Sequence, residues 1–276
     1  MKKLTLLFIS FVCILTLNSC QKKNENQNNE ISASEIKVDS ITFKIETPKK
    51  VSKEGDTLFA SFKVKFPKFI GGDASIIGKI NGQIEQMVKD QVYSLEDSVQ
   101  TQKVGTIEEI AQSFIKEYKT YNEENADIPL GVGWEYEGSG DTLLISSKVI
   151  SIYYSVYSFL GGAHGNFYTT YMNFNAQTGD LLKLTDIVSD TTALKKIAEL
   201  KFEKTQKAFA KDNDFEYNKE DYFWGSPFFL PKNIAITKSG LSFLYNPYEA
   251  AAYAIGAIYF ELTWQELGTL VKKEIR

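Results

Sequence analysis

Apolar residues recur at two periods along the chain, and the switches between them divide it into elements. Ile36, Val38, Ile41, Phe43 and Ile45 mark one extended segment; Leu58, Ala60, Phe62, Val64 and Phe66 mark a second. A period of two puts one set of side chains on a half-buried face, so both segments are predicted strands. Lys49 to Gly55 between them is charged and ends in a turn glycine, which predicts a hairpin. Pro67 and Gly71-Gly72 close the second strand. The period then lengthens. Ile77, Ile80, Ile84, Met87 and Val88 share one face of a helix predicted over 74–92, with Asp73 placed to cap it. Ile107, Ile110, Ala111, Phe114 and Tyr118 form the stripe of a second helix over 107–121, and Thr106 with Glu109 has capping-box spacing.

From Val132 to Phe174 the strand pattern returns. It reads as a strand, a turn at Gly138-Ser139-Gly140-Asp141, and a long strand. Ile150, Ile152, Tyr154 and Val156 share one face of the long strand and Tyr153 and Tyr157 the other. A tract containing Gly161, Gly162 and Gly165 leads into an alternating run from Phe167 to Phe174. A helix is expected over 192–209. The end of the chain reads as strand, Lys-Ser-Gly turn, strand, an irregular loop from Asn246 to Ile255, and a third strand over 256–262. Thr263 with Glu266 starts a short last helix. Strands and helices in separate runs define an α+β fold with largely antiparallel sheets, helices packed on one face, and two consecutive modules. The expected organisation is 1–19 leader, 20–34 polar tether, 35–128 N-terminal module and 129–276 C-terminal module. The internal boundary is set where "NADIPLG" interrupts the pattern.

The leader rests on Lys2 and Lys3 before an apolar run from Leu4 to Leu17, too short to span a bilayer. It ends in Leu17-Asn18-Ser19-Cys20, which resembles a bacterial lipobox. Cys20 would then be acylated and become the new N-terminus, anchoring the protein to a membrane. Processing there removes Cys13 and leaves no cysteine after Cys20, so disulfides, thiol catalysis and cysteine-ligated zinc are excluded for the folded part. Loss of the two lysines moves the formal charge from −4 to −6. A mildly acidic chain is a poor nucleic-acid binder, and its sign suits a cationic partner. The polar tether with its run of asparagines fits the outer membrane, facing either side.

The protein has one histidine, His164, inside the glycine tract. A second histidine for a metal pair is absent, and the glycines match neither a phosphate loop nor a dinucleotide fingerprint, so no metal and no cofactor is expected. The tract is a turn with a backbone-satisfied histidine, a binding loop, or a catalytic loop, in decreasing order of support from its surroundings. Glu135, Glu137, Asp141, Glu249 and Glu261 are acidic residues from which a hydrolytic pair could in principle be drawn. Of fifteen tyrosines, Tyr153, Tyr154, Tyr157, Tyr168, Tyr171, Tyr245, Tyr248 and Tyr253 lie in or beside the strands and loops just described. They serve either the rims of a core or a contact surface.

Two tracts together resemble a known family. "LGGAHGNFYTTYMNFNAQTGDLLKLTDI" over 160–187 and "TKSGLSFLYNPYEAAAYAIGAIYFELTWQEL" over 237–267 are similar to the extracytoplasmic C-terminal domain shared by RsiV-type anti-sigma factors and PdaC-type peptidoglycan deacetylases. The first half, with "VKFPKF" and "IIGKINGQI", resembles the domain that usually precedes it. The resemblance implies a wall-facing or sensing role. In the RsiV type these domains bind lysozyme, a cationic protein. The sigma-binding segment and transmembrane helix of that type, and the separate deacetylase domain of the other, are missing. The chain departs from the family at Ala252, where proline is common. The expectation is a lipid-anchored, non-enzymatic envelope protein that binds lysozyme or peptidoglycan through His164, Asn166, Tyr168, Tyr248, Glu249 and Tyr253. The alternatives are a carboxylate-dependent enzyme acting on peptidoglycan and a structural or assembly lipoprotein.

Overall fold

The computed structural model describes residues 36–51, 55, 57–92, 104–124 and 133–276. The leader, Cys20 and the tether lie outside the described residues. Strand β1 (Lys37–Glu46) and strand β4 (Ala60–Ile70) pair antiparallel, joined through a two-residue pair of strands, β2 (Lys50–Val51) and β3 (Thr57–Leu58). The expected hairpin is therefore present. Strand β4 runs on through Pro67 to Ile70 before Gly71 and Gly72 take positive φ.

Two helices follow. Helix α1 (Ala74–Asp90) starts where the Asp73 carboxylate accepts the Ser75 and Ile76 amides at 2.9 and 3.0 Å. Helix α2 (Ile107–Glu124) starts at a reciprocal cap between Thr106 and Glu109. Each satisfies amides that a helix start otherwise leaves unpaired. Ile77, Ile80, Ile84 and Val88 of α1 and Ile110, Ala111, Phe114, Ile115 and Tyr118 of α2 are buried against β4 and its neighbours. Strands β5 (Trp134–Ile145), β6 (Val149–Phe159) and β7 (Asn166–Asn175) complete a five-stranded sheet in the order β1-β4-β5-β6-β7. The β4–β5 pair is parallel and the rest antiparallel. A parallel pair needs a long crossover, and the segment holding α1 and α2 supplies it.

Two sequence expectations are corrected here. The boundary at 128/129 falls between β4 and β5, which pair in one sheet, so it divides no module. Residues 36–176 share one core and 149 with 187–275 a second. The Gly-Ser-Gly-Asp turn is also not a turn: Gly138 and Gly140 lie inside β5, and the reversal comes after Ile145. These glycines clear space. A Cβ on Gly138 would lie 1.8 Å from the Tyr154 hydroxyl, and one on Gly140 2.5 Å from the Tyr153 carbonyl oxygen. The tyrosine ring of the next strand lies over the bare backbone.

The second module holds a short helix α3 (Leu184–Ile187), the long helix α4 (Thr191–Asp212), and a three-stranded antiparallel sheet. Its strands are β8 (Asn233–Ile236), β9 (Gly240–Tyr245) and β10 (Ile258–Thr263), followed by helix α5 (Trp264–Leu267). Leu194, Ala198 and Phe202 of α4 pack on Phe243, Tyr245 and Phe260 of the sheet. Thr263 and Glu266 form the expected capping box. No helix among the described residues is long and apolar enough to cross a membrane.

Tyr136 and Tyr154 lie in the first core with their hydroxyls side by side. Burial, first, and their mutual proximity hold the Tyr136 phenol well above its ordinary range, and burial raises Tyr154 as well. The folded protein keeps both protonated, whereas an unfolded chain releases those protons near pH 10. Stability is therefore full below about pH 10 and falls as pH rises beyond it. Urea midpoints measured from about pH 9 to about pH 11 should decline, and the decline should be shallower in a Tyr136→Phe, Tyr154→Phe double variant.

Candidate functional site

Strand β7 is the edge of the five-stranded sheet, and an edge strand leaves every second backbone group without a partner. Here asparagine side chains from the second module fill the gap. The Asn246 carbonyl oxygen accepts the Thr169 amide at 2.8 Å, and its side-chain NH2 donates to the Thr169 carbonyl at 3.0 Å. The Asn233 side chain accepts the Tyr171 amide at 3.0 Å. Asn173 reaches the other way: its NH2 donates to the Ile234 carbonyl at 2.7 Å, and its oxygen accepts the Ile236 amide and the Ser151 hydroxyl, each at 2.8 Å. All three asparagines are buried.

This junction sets the loop that follows β9. The Asn246 amide donates to the Glu249 carboxylate at 2.9 Å, and the Glu249 amide returns a bond to the Asn246 carbonyl at 3.0 Å. Beyond this brace the Tyr253 hydroxyl donates to the Gly165 carbonyl at 2.7 Å. The His164 ring stacks on Tyr253 with centroids 4.0 Å apart and planes 19° apart. Tyr248 stands 5.5 Å beyond. The two loops singled out from sequence therefore meet, 84 to 89 residues apart in the chain. Ala252 has φ −58° and ψ 152°, a conformation proline also adopts, so the loop keeps the shape that a proline would impose.

The six expected site residues divide. His164, Tyr248 and Tyr253 form one aromatic ladder. Tyr168 lies beside the junction: burial, then the nearby Glu249 carboxylate, raise its pKa, while the Asn233 and Asn246 amides pull it back. The Glu249 carboxylate is engaged inside its own loop, so its geometry is that of a brace. Asn166 is exposed at the start of β7 opposite Ser158 and touches none of the ladder through hydrogen bonds. Among the acidic residues, Glu135, Glu137 and Asp141 share β5, Glu261 is on β10, and Glu249 is in the loop. Among the described residues no group of three or more His, Cys, Asp or Glu is placed to hold a metal ion.

Sequence reasoning missed Trp224. Its indole is 61% exposed, and its N–H donates to the Tyr248 carbonyl at 3.3 Å. The Phe223 amide donates to the Ala250 carbonyl at 2.7 Å, tying the same two segments. Phe223, Trp224 and Tyr248 have φ of 59°, 54° and 70°, three of the four positive values among non-glycine described residues. Such backbone costs of order 1–3 kcal/mol per residue and persists where surrounding bonds impose it. "FWGSP" gives an aromatic-glycine signal, but no periodicity links it to a loop some twenty-four residues later.

The molecule is thus a two-module α+β protein whose module junction presents exposed aromatic rings on a strained, cross-braced scaffold. Comparison with known families agrees with the two cores. The family described as "Deacetylase PdaC" matches residues 52–167, and the family described as "Protein of unknown function (DUF3298)" matches residues 185–265. The His164 tract therefore closes the first matched region rather than opening the second. A DUF3298 family member from Bacteroides fragilis NCTC 9343 superposes with a TM-score of 0.64 at 18% identity, covering 87% of this chain and 94% of that one. A DUF3298 family protein from Pseudomonas aeruginosa PAO1 gives 0.59 at 16% identity, covering 87% and 96%. Both likenesses establish the fold. No curated protein matches the chain.

Removing Asn246 strips two partly buried backbone groups of Thr169 of their partners at once. An Asn246→Ala variant should lose about 2–4 kcal/mol of unfolding free energy in urea titrations. Ser242→Ala on β9 removes a side-chain bond to the Tyr171 phenol but leaves the β7 backbone groups paired, and should change far less.

Proposed function

We propose that this protein is a lipid-anchored binding protein of the cell envelope that performs no chemistry of its own. The contact surface is the aromatic ladder of His164, Tyr253 and Tyr248 with Trp224, and the partner is a cationic protein of the lysozyme type. One observation carries the reading: large exposed rings stand on backbone held in strained conformations by hydrogen bonds between two loops. Rigid, exposed aromatics lose little freedom on binding and supply much of the energy of protein contacts. The resemblance to the RsiV type supports a lysozyme-like partner, and the acidic balance of the chain agrees in sign. The match to a family carrying the word deacetylase covers β4, α1, α2, β5, β6 and the His164 turn, and the candidate acids Glu135, Glu137 and Asp141 in that region all lie along β5.

Lysozyme titrated into the purified full-length protein should release heat and saturate. The pair Trp224→Ala and Tyr248→Ala should weaken binding at least about tenfold, a loss of about 1.4 kcal/mol, with the urea midpoint of the variant unchanged. No heat with the unaltered protein would remove the lysozyme-like partner.

The lipid anchor and extracytoplasmic placement are part of the same proposal, resting on the basic start, the apolar run and Cys20. Cells expressing the protein should incorporate labelled palmitate into it and hold it in the outer-membrane fraction. Cys20→Ala should abolish both. Retention of label in that variant would refute acylation at Cys20.

A further inference from the structure

The face of the five-stranded sheet turned away from α1 and α2 carries a second ordered surface. Its register can be followed strand by strand. Lys63 of β4, Glu137 of β5, Tyr157 of β6 and Phe167 of β7 form one row across the sheet. Lys65, Ser139, Ser155 and Thr169 form the next. Asp141, Tyr153 and Tyr171 form the third. A row of small hydroxyl residues thus lies between two rows of aromatic and acidic residues. The outer rows stand about 13 Å apart at the rise of an extended strand, and the valley runs across the strands for about 14 Å from β4 to β7.

The valley is open where described: Phe167 is 56% exposed, and Glu137, Ser139, Asp141 and Lys65 are exposed. Tyr157 and Phe167 pack ring to ring at 4.9 Å and make one wall. Tyr171 makes the other with Tyr259 of β10, itself 52% exposed, beside it. The Ser155 and Thr169 hydroxyls bond each other at 2.8 Å along the floor and keep acceptor capacity for a further donor. Glu135 and Glu137 form no ion pair or hydrogen bond among the described residues, and Asp141 turns one oxygen to its neighbour Thr142. Lys63 is within 3.7 Å of Glu46, and Lys65 ends the floor on the β4 side.

We infer that this valley binds an oligosaccharide of amino sugars carrying free ammonium groups. Once the wall side chains occupy their share, the valley is narrower than the roughly 10–12 Å of an α-helix. Backbone pairing, which would hold an extended peptide, is available at a sheet edge and not on its face. A chain of sugar rings meets each feature. Its apolar ring faces lie on the Tyr157–Phe167 and Tyr153–Tyr171 walls, its hydroxyls bond the Ser139–Ser155–Thr169 floor, and its ammonium groups meet Glu137 and Asp141. An ammonium beside an exposed aromatic face gains a further attraction. The surface uses none of the rings of the Trp224 ladder, so ring-truncating variants of one surface test it without removing a contact group of the other.

A glucosamine tetramer, its fully N-acetylated counterpart and maltotetraose should be titrated into the purified full-length protein, read by calorimetry and amide shifts. The glucosamine tetramer should bind at least about tenfold more tightly than either of the others and weaken in about 0.5 M NaCl. Glu137→Gln with Asp141→Asn should erase its advantage over the acetylated tetramer. Phe167→Ala should weaken all binding, while Trp224→Ala should leave it unchanged. Urea midpoints close to that of the parent protein establish that the variants fold. Equal affinity for the charged and acetylated tetramers, no binding, or a loss with Trp224→Ala rather than Phe167→Ala would each overturn the inference.

Discussion

An edge strand must be finished by something, and in this molecule the finish is two buried asparagine side chains from the second module, Asn233 and Asn246, with Asn173 of β7 reaching back to β8. Strand β7 offers outward backbone groups at Thr169 and Tyr171, and the second module partly covers them. A primary amide carries the same donor and acceptor as a peptide unit, so Asn246 pairs with Thr169 as a neighbouring strand would. The difference is geometric. A true strand would have to run alongside β7 and extend the sheet. A side chain reaches across at an angle, so β8 can cross from β7 toward β6 and β5 and the two sheets remain separate. Partly buried backbone groups are thereby satisfied without merging the two cores, and loss of one amide exposes two unpaired groups at once.

The position of every loop at the junction follows from that contact. Asn246 is held by β7, Glu249 closes the turn on Asn246, and the chain from Tyr248 to Tyr253 is delivered against the His164 turn. Trp224 joins through the Tyr248 carbonyl. The resulting aromatic ladder owes its rigidity to hydrogen bonds on both of its sides. The strain at Phe223, Trp224 and Tyr248 is therefore imposed from outside those residues, and removing the bonds rather than the rings would relax it.

Elements with a strong period were legible in the chain. Helices α1 and α2 and their caps at Asp73 and Thr106 follow from spacing alone, as do β1, β4 and the alternation along β6 and β7. What escaped has a physical reason in each case. Gly138 and Gly140 read as a turn because glycine permits one, yet they serve a ring packed from the adjacent strand, a long-range constraint with no local mark. The module border was misplaced because a loop breaks periodicity whether or not a sheet continues beyond it. Asn233 and Asn246 look like ordinary strand-end polar residues, since nothing in their neighbours announces a bond to residues more than sixty positions away. Glu249 was read as a charge facing a partner because sequence shows the charge and not its engagement.

The glycine tract around His164 shows how one turn can answer three demands. Gly161 and Gly162 take φ of 91° and 105°, which lets β6 reverse into β7. Gly165 is needed for clearance instead, since a Cβ there would lie 2.2 Å from the Tyr157 ring. That space lets Tyr157 lie beside Phe167 on the open sheet face, while the Gly165 carbonyl accepts the Tyr253 hydroxyl and the His164 Nδ1 contact on the other side. The same short turn thus holds the edge of the aromatic wall and the foot of the aromatic ladder. A side chain at Gly165 would push Tyr157 off the wall and shift the carbonyl that positions Tyr253, so the two surfaces are coupled through backbone even though their rings do not touch. His164, stacked on Tyr253 at that hinge, is tied down by the turn and exposed at the same time, and the choice between a structural and a contacting histidine is not an exclusive one.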